Sequence, residues 1–356
     1  MTTIRFAFVG GAAISIALGG GSAWAQQAPG ERVALGEVVV TAQKREETLR
    51  EVPLSVSVIS SQQLEDFHVT RLTDIAAYVP GLQVTSSGAP GLTSISLRGI
   101  APVSASATVA TYIDENPLGS SGFFQAANAL ALDLLPYDIE RVEVLRGPQG
   151  TLYGASAMGG LLKYVTRGPD LSDGEFRIGI GASDVEGAGD LGRDLRVGAN
   201  LPLVEGRLAL RASYARNEIP GYVDDAQRGG QDINDGTQES ARVALLWQVS
   251  DAVGLDFTAT RQSIDSDNNG TVALNTATQG PLLDDLQTLR FVDEPFEKEI
   301  DFYSATLNWD LGWADFISAS GYSDVSTDVR QDFTFAFGEL PLLLGLAPGI
   351  SIFDLR

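Results

Sequence analysis

The sequence offers few side chains that could carry acid–base or nucleophilic chemistry. Among its 356 residues, His68 is the only histidine and there is no cysteine. Disulfides, thiolate metal ligands and a cysteine nucleophile are therefore excluded, and a Ser-His-Asp triad or a multi-histidine metal site would rest on His68 alone. We interpret His68 as an exposed polar residue, and we predict neither enzyme activity nor a bound cofactor.

Two loops have the residue spacing of ligand-binding motifs. Residues 154–159 have the glycine spacing of a phosphate-binding loop, but Gly160-Leu161 stands where that loop requires Lys and Ser or Thr. Three residues match the first half of a calcium loop: Asp265, Asp267 and Asn269. Thr276 occupies the place of the bidentate glutamate of such a loop. A weak calcium site is one interpretation of this segment, and a solvated turn is the favoured one.

The chain is strongly acidic, with 24 Lys and Arg against 46 Asp and Glu and a net charge of −22. Nucleic-acid binding depends on basic side chains that neutralise phosphates, so no nucleic-acid partner is predicted. Acidity suits the capture of a cationic or metal-bearing solute, but it is equally common on soluble proteins and decides little by itself.

The first 25 residues have the pattern of an export signal. Arg5 precedes an apolar run from Phe6 to Gly20, which is too short for a membrane-spanning helix. Ala23-Trp24-Ala25 supplies the small residues of a cleavage site, so we predict a signal peptide over residues 1–25; a short N-terminal anchor is the alternative. No later segment is a long apolar run. A membrane location would therefore require strands, and a bacterial outer membrane is the natural destination.

A short β-branched segment follows within a polar stretch predicted to span residues 26–46: Glu37-Val38-Val39-Val40-Thr41-Ala42. A strand without a partner can add to the edge of another protein's sheet, where main-chain hydrogen bonds supply the affinity. The segment can equally be the first strand of the next domain, and both interpretations stay open.

Residues 47–169 have the pattern of a small α+β domain with many ordered turns. Ser60 or Ser61 can cap a short helix through Phe67, and Pro80-Gly81 ends a second short helix. Charged and apolar residues alternate over 139–145, which indicates a strand, and a turn-rich loop follows it over 146–154. Further strands are predicted over 53–59, 82–85, 94–98, 111–113 and 161–166, and the second helix over 70–76.

From residue 170 onward, strands alternate apolar and polar side chains. Seven are predicted, the first at Phe176–Ala182 and the last at Ala314–Ser323, and short connections alternate strictly with long ones. A transmembrane barrel places its short turns on one side, whereas a soluble β-sandwich has no such rule. We therefore predict part of an antiparallel transmembrane β-barrel over 170–356. Seven strands cannot close an even-numbered barrel, and an open edge in lipid is costly, so we expect a fragment or a truncated gene product.

One long run in the predicted α+β domain is highly specific: Glu140 to Gly154, which reads ERVEVLRGPQGTLYG. With Ile95–Gly99, Tyr112–Glu115 and Gly159-Gly160, it resembles the TonB-dependent receptor family. Ala155–Met158 departs from many relatives, in what we expect to be a surface turn. The resemblance implies these plug-motif positions: Gly147, Pro148, Gly150, Tyr153, Gly154, Gly159 and Gly160.

The architecture implied by the resemblance has three parts. Glu37–Ala42 is the TonB box, residues 47–169 are a plug domain, and the barrel that surrounds the plug has about 22 strands when complete. The short distance between residue 26 and the box leaves no room for the periplasmic signalling domain of some relatives, which favours a transporter.

Arg98 and Arg146 each open an Arg-Gly step in the predicted plug. A buried arginine needs a carboxylate partner. The resemblance implies an ionic latch from these residues to glutamates on later barrel strands, outside this chain. Local salt bridges within the plug are an alternative of equal weight.

The function implied by the resemblance is active uptake across the outer membrane. Outer loops bind a scarce solute, the box becomes exposed in the periplasm, and TonB, energised by its inner-membrane complex, pulls on it. The protein is expected in outer-membrane lipid, with a ferric-siderophore complex as its first candidate substrate. Alternatives are haem, cobalamin, nickel, a glycan or an aromatic compound, and a passive porin or outer-membrane hydrolase is less expected.

Overall fold

The computed structural model describes residues 39–45, 47–102, 107–119, 132–272, 274–275, 278, 280–283, 286–334 and 352–355. We call the described part of residues 39–169 the plug and the described part of residues 170–355 the wall. The predicted signal peptide over 1–25 lies outside the described residues, as do Glu37 and Val38 of the predicted box. None of the helices in the described ranges has the length and apolarity that a membrane span requires.

The plug is an α+β domain, as predicted. Its strands are β1 Val39–Val40, β2 Glu47–Thr48, β3 Val56–Ser60, β4 Leu82–Ser86, β5 Thr93–Leu97, β6 Val109–Ile113, β7 Asn116–Leu118, β8 Ile139–Arg146 and β9 Gly160–Thr166. Its helices are α1 Ser61–Asp66, α2 Leu72–Ala76 and α3 Gly150–Tyr153. A five-stranded sheet has the order β3-β8-β9-β6-β7, and only β6 and β9 in it are parallel. Separate two-stranded sheets form from β1-β2 and β4-β5.

Local chemistry explains the two helices that the sequence predicts. The Ser60 hydroxyl accepts from the Gln63 amide at 3.3 Å, and Gln63 Oε1 accepts from the Ser60 amide at 3.0 Å, which forms a capping box at the start of α1. At α2, one oxygen of Asp74 accepts from the Arg71 amide at 3.0 Å. Gly81, with φ of 82°, then makes the left-handed turn into β4.

Both faces of the five-stranded sheet are covered. One face packs under α1 and α2, with Leu72, Ile75 and Val142 fully buried. The opposite face packs against the segment that holds β1, where Val40 is fully buried. Central strand β8 therefore has no solvent face, although its charge–apolar alternation is typical of a half-exposed strand. The predicted loop over 146–154 differs as well, since it contains the short helix α3.

The wall is one antiparallel sheet of long strands. They are β10 Glu175–Ser183, β11 Gly192–Val204, β12 Leu208–Ile219, β14 Gly236–Ser250, β15 Val253–Ser266, β17 Phe296–Asp310, β18 Asp315–Asp332 and β19 Ile352–Leu355. Each pairs with the next in that order. All seven predicted strands are present, and β19 was not predicted. Two-residue strands β13 Asp224–Asp225 and β16 Gln287–Thr288 pair with each other in two of the long connections.

The alternation of side chains along the wall separates an outer apolar face from an inner polar one. On β10, Phe176, Ile178 and Ile180 are 68%, 59% and 72% exposed and face outward. Inward-facing residues pack on the plug, and Ile300 and Phe302 of β17 are fully buried within the plug's own core cluster. Tight turns at 205–207, 251–252 and 311–314 alternate with long connections. This is the pattern that the sequence predicts for a barrel.

Candidate functional site

The described part of the predicted box is docked on the plug. Val39 and Val40 of β1 pair antiparallel with Thr48 and Glu47 of β2. Val40 and Ala42 have no exposed surface and lie in an apolar cluster beneath the plug sheet. The segment pairs with β2 at the start of the plug, which agrees with the interpretation as a first strand of the next domain. Its addition to the sheet of another protein stays a prediction.

A polar clamp holds Thr41, between the two buried box residues. Glu143 Oε1 accepts from the Thr41 amide at 3.0 Å and from its hydroxyl at 3.3 Å. The Lys163 ammonium donates to Thr41 Oγ1 at 2.7 Å and to Glu115 Oε1 at 2.6 Å. Glu143 is fully buried and also accepts from Arg141 Nε at 2.7 Å. Buried charges are tolerated only when they are paired. Here Glu143 pairs with Arg141 and Lys163 pairs with Glu115. Thr41 of the box adds a hydrogen-bond partner to both Glu143 and Lys163.

Two tyrosines close the site. The Tyr153 hydroxyl donates to the carbonyl oxygen of Ala42 at 3.0 Å, and Tyr112 donates to the Tyr153 carbonyl oxygen at 2.8 Å. The Lys44 ammonium lies 4.9 Å and 4.8 Å from the ring centroids of Tyr112 and Tyr153, and 3.1 Å from Glu115 Oε2. Burial raises the pKa of Tyr153 far above its usual value, and the carboxylates of Glu115 and Glu143 add to the effect. Tyr153 is therefore a donor at neutral pH.

The predicted plug-motif residues lie around this site. Tyr153 is part of the clamp, Gly150 opens α3, Gly154 ends it, and Pro148 is exposed. Gly160 opens β9 with φ of 152°, and a Cβ there would overlap the Leu145 carbonyl oxygen and the Leu97 side chain. Of the remaining motif positions, Gly147 has φ of 99°, and a Cβ added at Gly159 would lie 3.3 Å from the Leu97 carbonyl oxygen.

Arg98 and Arg146 lie near each other without carboxylate partners among the residues described. Arg98 is exposed, and its guanidinium lies beside the Cα of Gly147. Arg146 Nη1 is 3.4 Å from the Pro80 carbonyl oxygen, and its buried Nε has no hydrogen-bond partner in these ranges. The alternative of local salt bridges within the plug is therefore not seen here. A latch to later strands stays a prediction.

The sequence analysis missed a buried ionic contact between plug and wall. Asp138, just before β8, accepts from Arg211 Nε at 3.0 Å and 2.9 Å and from Arg242 Nη1 at 3.2 Å. The side chains of Asp138, Arg211 and Arg242 are 3%, 4% and 8% exposed. Arg211 and Arg242 lie in the polar register of their strands, which could have marked them as inward-facing. Nothing local marks Asp138 as their partner.

Other contacts join the plug to wall strands farther along the sheet. Gln262 Nε2 donates to the Asp133 carbonyl oxygen at 3.1 Å, and Gln262 Oε1 accepts from the Leu135 amide at 2.8 Å. The Lys298 ammonium donates to the Gly91 carbonyl oxygen at 2.8 Å. Burial raises the pKa of Asp133, against the opposing effects of its hydrogen bond from Leu72 and the charge of Lys298.

The residues of the weak calcium hypothesis, Asp265, Asp267 and Asn269, lie in different surroundings, and the hypothesis gains no support from their placement. Asp265 is exposed within strand β15, whereas Asn269 is buried. Asn269 Oδ1 accepts from the Thr271 amide at 2.7 Å and from Arg290 Nη2 at 3.2 Å, so a guanidinium occupies the oxygen that a cation would need. Across the described ranges, no group of three or more metal-ligating side chains is arranged to hold a metal ion. His68 is exposed, as predicted.

Comparison with known proteins agrees with this architecture. Residues 48–161 match the family described as TonB-dependent Receptor Plug Domain. The chain is similar to the vitamin B12 transporter BtuB of Vibrio vulnificus, with 36% identity over 147 residues, and to the pesticin receptor of Yersinia pestis, with 35% identity over 151 residues. These alignments cover 41% of the chain but only 23% and 21% of the relatives.

A solved structure extends the likeness to the wall. The ferric yersiniabactin uptake receptor FyuA from Yersinia pestis superposes with a TM-score of 0.63 over 78% of this chain and 42% of its own, at 23% identity. At that identity the superposition shows the fold alone, and it includes wall strands as well as the plug. Residues 48–161 therefore carry the plug domain of TonB-dependent receptors, and the chain is similar in fold to such a receptor over both the plug and the wall.

Proposed function

We propose that the protein takes up a scarce solute across the bacterial outer membrane, driven by TonB through the segment Glu37–Ala42. One observation carries this proposal: the described part of the segment is docked by a ladder of only two residue pairs, Val39 with Thr48 and Val40 with Glu47. Such a short two-stranded ribbon is marginal in water. A longer edge strand on a partner protein can therefore replace β2 as its pairing partner.

The clamp on Thr41 explains how a pull on the segment reaches the rest of the plug. Glu143 lies on β8 and Lys163 on β9, and the two residues are register partners at the centre of the five-stranded sheet. Thr41 touches both. Force applied at the box is therefore transmitted to the middle of the plug, because Thr41 is hydrogen-bonded directly to Glu143 and Lys163. These two residues lie more than 100 positions away from Thr41 in sequence.

The names of the relatives support a proposal for the substrate class. We propose a ferric-siderophore complex first, in view of the ferric yersiniabactin uptake receptor, and haem, cobalamin, a glycan or an aromatic compound as alternatives. A passive porin is disfavoured because Ile300 and Phe302 of the wall are fully buried in the plug's core cluster. The same contact gives no open channel along this stretch of wall.

The test removes one backbone donor from the box. Val39→Pro deletes the N–H that a partner strand would engage, and Val39→Thr at the same position keeps it. Val39 is 40% exposed, so neither change opens a core cavity. We expect Val39→Pro to lose binding of the purified periplasmic domain of TonB and energy-dependent uptake of a labelled ferric siderophore, while Val39→Thr keeps both.

Two results would contradict the proposal. Uptake that is unchanged in Val39→Pro, or that survives deletion of residues 37–42, would indicate a passive channel. The abundance of the protein in outer membranes from iron-starved and iron-replete cells then tests the substrate class. A higher abundance in iron-starved cells supports an iron chelate or haem as the substrate. An unchanged abundance favours a vitamin or a carbon source as the substrate.

A further inference from the structure

The contact between Asp138 and the wall is built differently from the dock of the box. Arg211 comes from β12 and Arg242 from the adjacent strand β14, and both guanidiniums converge on the single carboxylate of Asp138. Arg242 also donates to Thr166 Oγ1 at 2.8 Å and to the Arg167 carbonyl oxygen at 3.0 Å. One nearly solvent-free cluster thus joins two wall strands to the plug.

The same cluster ties the two central plug strands together at one end. Asp138 precedes β8, and its carbonyl oxygen accepts from the Arg167 amide, just after β9, at 3.0 Å. Ile139 and Thr166 are the terminal register pair of the two strands. Within the described residues, the hydrogen bonds between plug and wall come from residues 88–91, from 133–138 and from 166–167, and none comes from 39–86.

We propose that Asp138, Arg211 and Arg242 form a fixed seat, a set of positioning residues that keeps the β8–β9 end of the plug on the wall while the box is pulled. The pull itself rests on the proposed function. The box clamp at Glu143 and Lys163 lies five residues along β8 from the seat, about 17 Å at the rise of a strand. A force applied at Thr41 is therefore transmitted along β8 and β9, and the contacts of Asp138 with the wall oppose it.

The number of ion pairs that must be separated is the reason that the seat outlasts the clamp. Thr41 is uncharged, and when it leaves, Glu143 keeps Arg141 and Lys163 keeps Glu115 as ion-pair partners. Opening the seat instead separates the carboxylate of Asp138 from two guanidiniums that are only 4% and 8% exposed. Separating an ion pair inside a low-dielectric interior leaves uncompensated charge on both sides. The clamp therefore yields first, and the segment before β3 leaves while the seat stays closed.

No cysteine occurs among these 356 residues, so a cysteine introduced into the plug or the wall meets no other thiol of this stretch. The labelling experiment uses the full-length protein, with the protein that lacks the introduced cysteine as its background control. Ala42→Cys places a thiol in the box and Ala244→Cys places one on the inner face of β14, two residues from Arg242; the two alanines are 0% and 2% exposed. Cells are treated with a periplasm-permeant maleimide with and without an energised TonB complex. We expect labelling of Ala42→Cys to rise roughly tenfold on energisation and that of Ala244→Cys to stay flat.

Equal increases at both positions would overturn the seat, because the wall behind the plug would then be opened by the same movement. If the labelling of Ala42→Cys does not change on energisation, the result contradicts the proposed function and not the seat. A second measurement then tests the seat independently of the proposed function. That measurement is entry of vancomycin, a solute too large for an intact plugged barrel, into cells that express Asp138→Asn. It requires neither a known substrate nor TonB.

We expect a several-fold rise in vancomycin sensitivity for Asp138→Asn. Glu140→Gln, a carboxylate-to-amide change on β8 whose side chain is 55% exposed, should match the unsubstituted protein. Arg211→Lys, which keeps the charge but loses the two-pronged geometry, should leak less than Asp138→Asn and covers the case in which that variant does not reach the outer membrane. The seat would be overturned if Asp138→Asn or Arg211→Lys reached the outer membrane at normal amounts and the cells still had the vancomycin sensitivity of the unsubstituted protein.

Discussion

The ammonium of Lys163 lies 2.7 Å from the hydroxyl oxygen of Thr41, although 122 positions separate the two residues in sequence. Lys163 is 1% exposed and lies on a central strand of the plug sheet. Its buried charge is compensated by Glu115 at 2.6 Å. A residue of the proposed coupling segment thus completes the hydrogen bonding of a buried lysine in the middle of the plug, and release of the segment leaves that lysine short of a partner.

Thr41→Val should loosen the coupling segment, because it removes the hydroxyl that accepts from Lys163 and donates to Glu143 while keeping the shape of the side chain. The loss of buried hydrogen bonds is expected to cost about 1–2 kcal/mol. Trypsin cleavage after Lys44 or Arg45 should accelerate by about 5–30-fold. Thr48→Val is the control, since the Thr48 hydroxyl donates to the nearby Glu51 in an exposed hydrogen bond and not to the clamp; equal cleavage rates in the two variants would contradict the clamp.

Tyr153→Phe should reduce the loss of stability at alkaline pH. Burial raises the pKa of the Tyr153 hydroxyl above its usual value of 10.0, so the unfolded chain releases that proton first. The contribution of Tyr153 is therefore complete below pH 10 and is lost as the pH rises above that value. Unfolding followed by urea titration at pH 8 and pH 11 measures the difference. The exposed Tyr78→Phe should keep the full alkaline loss, and a Tyr153→Phe slope that equals it would refute the assignment.

Gly160→Ala should be among the most damaging single-methyl changes in the plug. The new Cβ overlaps the Leu145 carbonyl oxygen and a Leu97 methyl group, and the backbone φ of 152° is one that side chains rarely adopt. We expect a loss of about 3 kcal/mol or more in the free energy of unfolding. Gly150→Ala has no atom within 4 Å of the added Cβ and should change stability by less than about 1 kcal/mol. Denaturant titration of both variants distinguishes them.

Replacing Arg98 or Arg146 tests the proposed latch to later strands. Neither guanidinium has a carboxylate partner among the described residues, so Arg98→Gln and Arg146→Gln should lower uptake by about tenfold and leave trypsin cleavage at Lys44 unchanged. Arg71→Gln is the control, because Arg71 has its own partner in Asp74 at 3.6 Å. Normal uptake in both latch variants would show that the two arginines have only a local role.

The sequence determined the elements whose causes are local. The capping box of Ser60 and Gln63, the left-handed turn at Gly81 and the two-residue period of the wall strands lie within a few positions of one another, so propensity and periodicity suffice to predict α1, α2 and all seven long strands. The motif from Glu140 to Gly154 sufficed to predict the plug-domain match over residues 48–161, because such a run is specific in composition as well as in length.

Only the tertiary structure decided which charges meet. The alternation of β8 predicts solvent for Arg141 and Glu143, but both are buried because the coupling segment covers that face of the sheet. Asp138 meets Arg211 across 73 positions and Arg242 across 104. Contacts at such separation depend on how the plug sits against the wall, and no local pattern of residues encodes that placement.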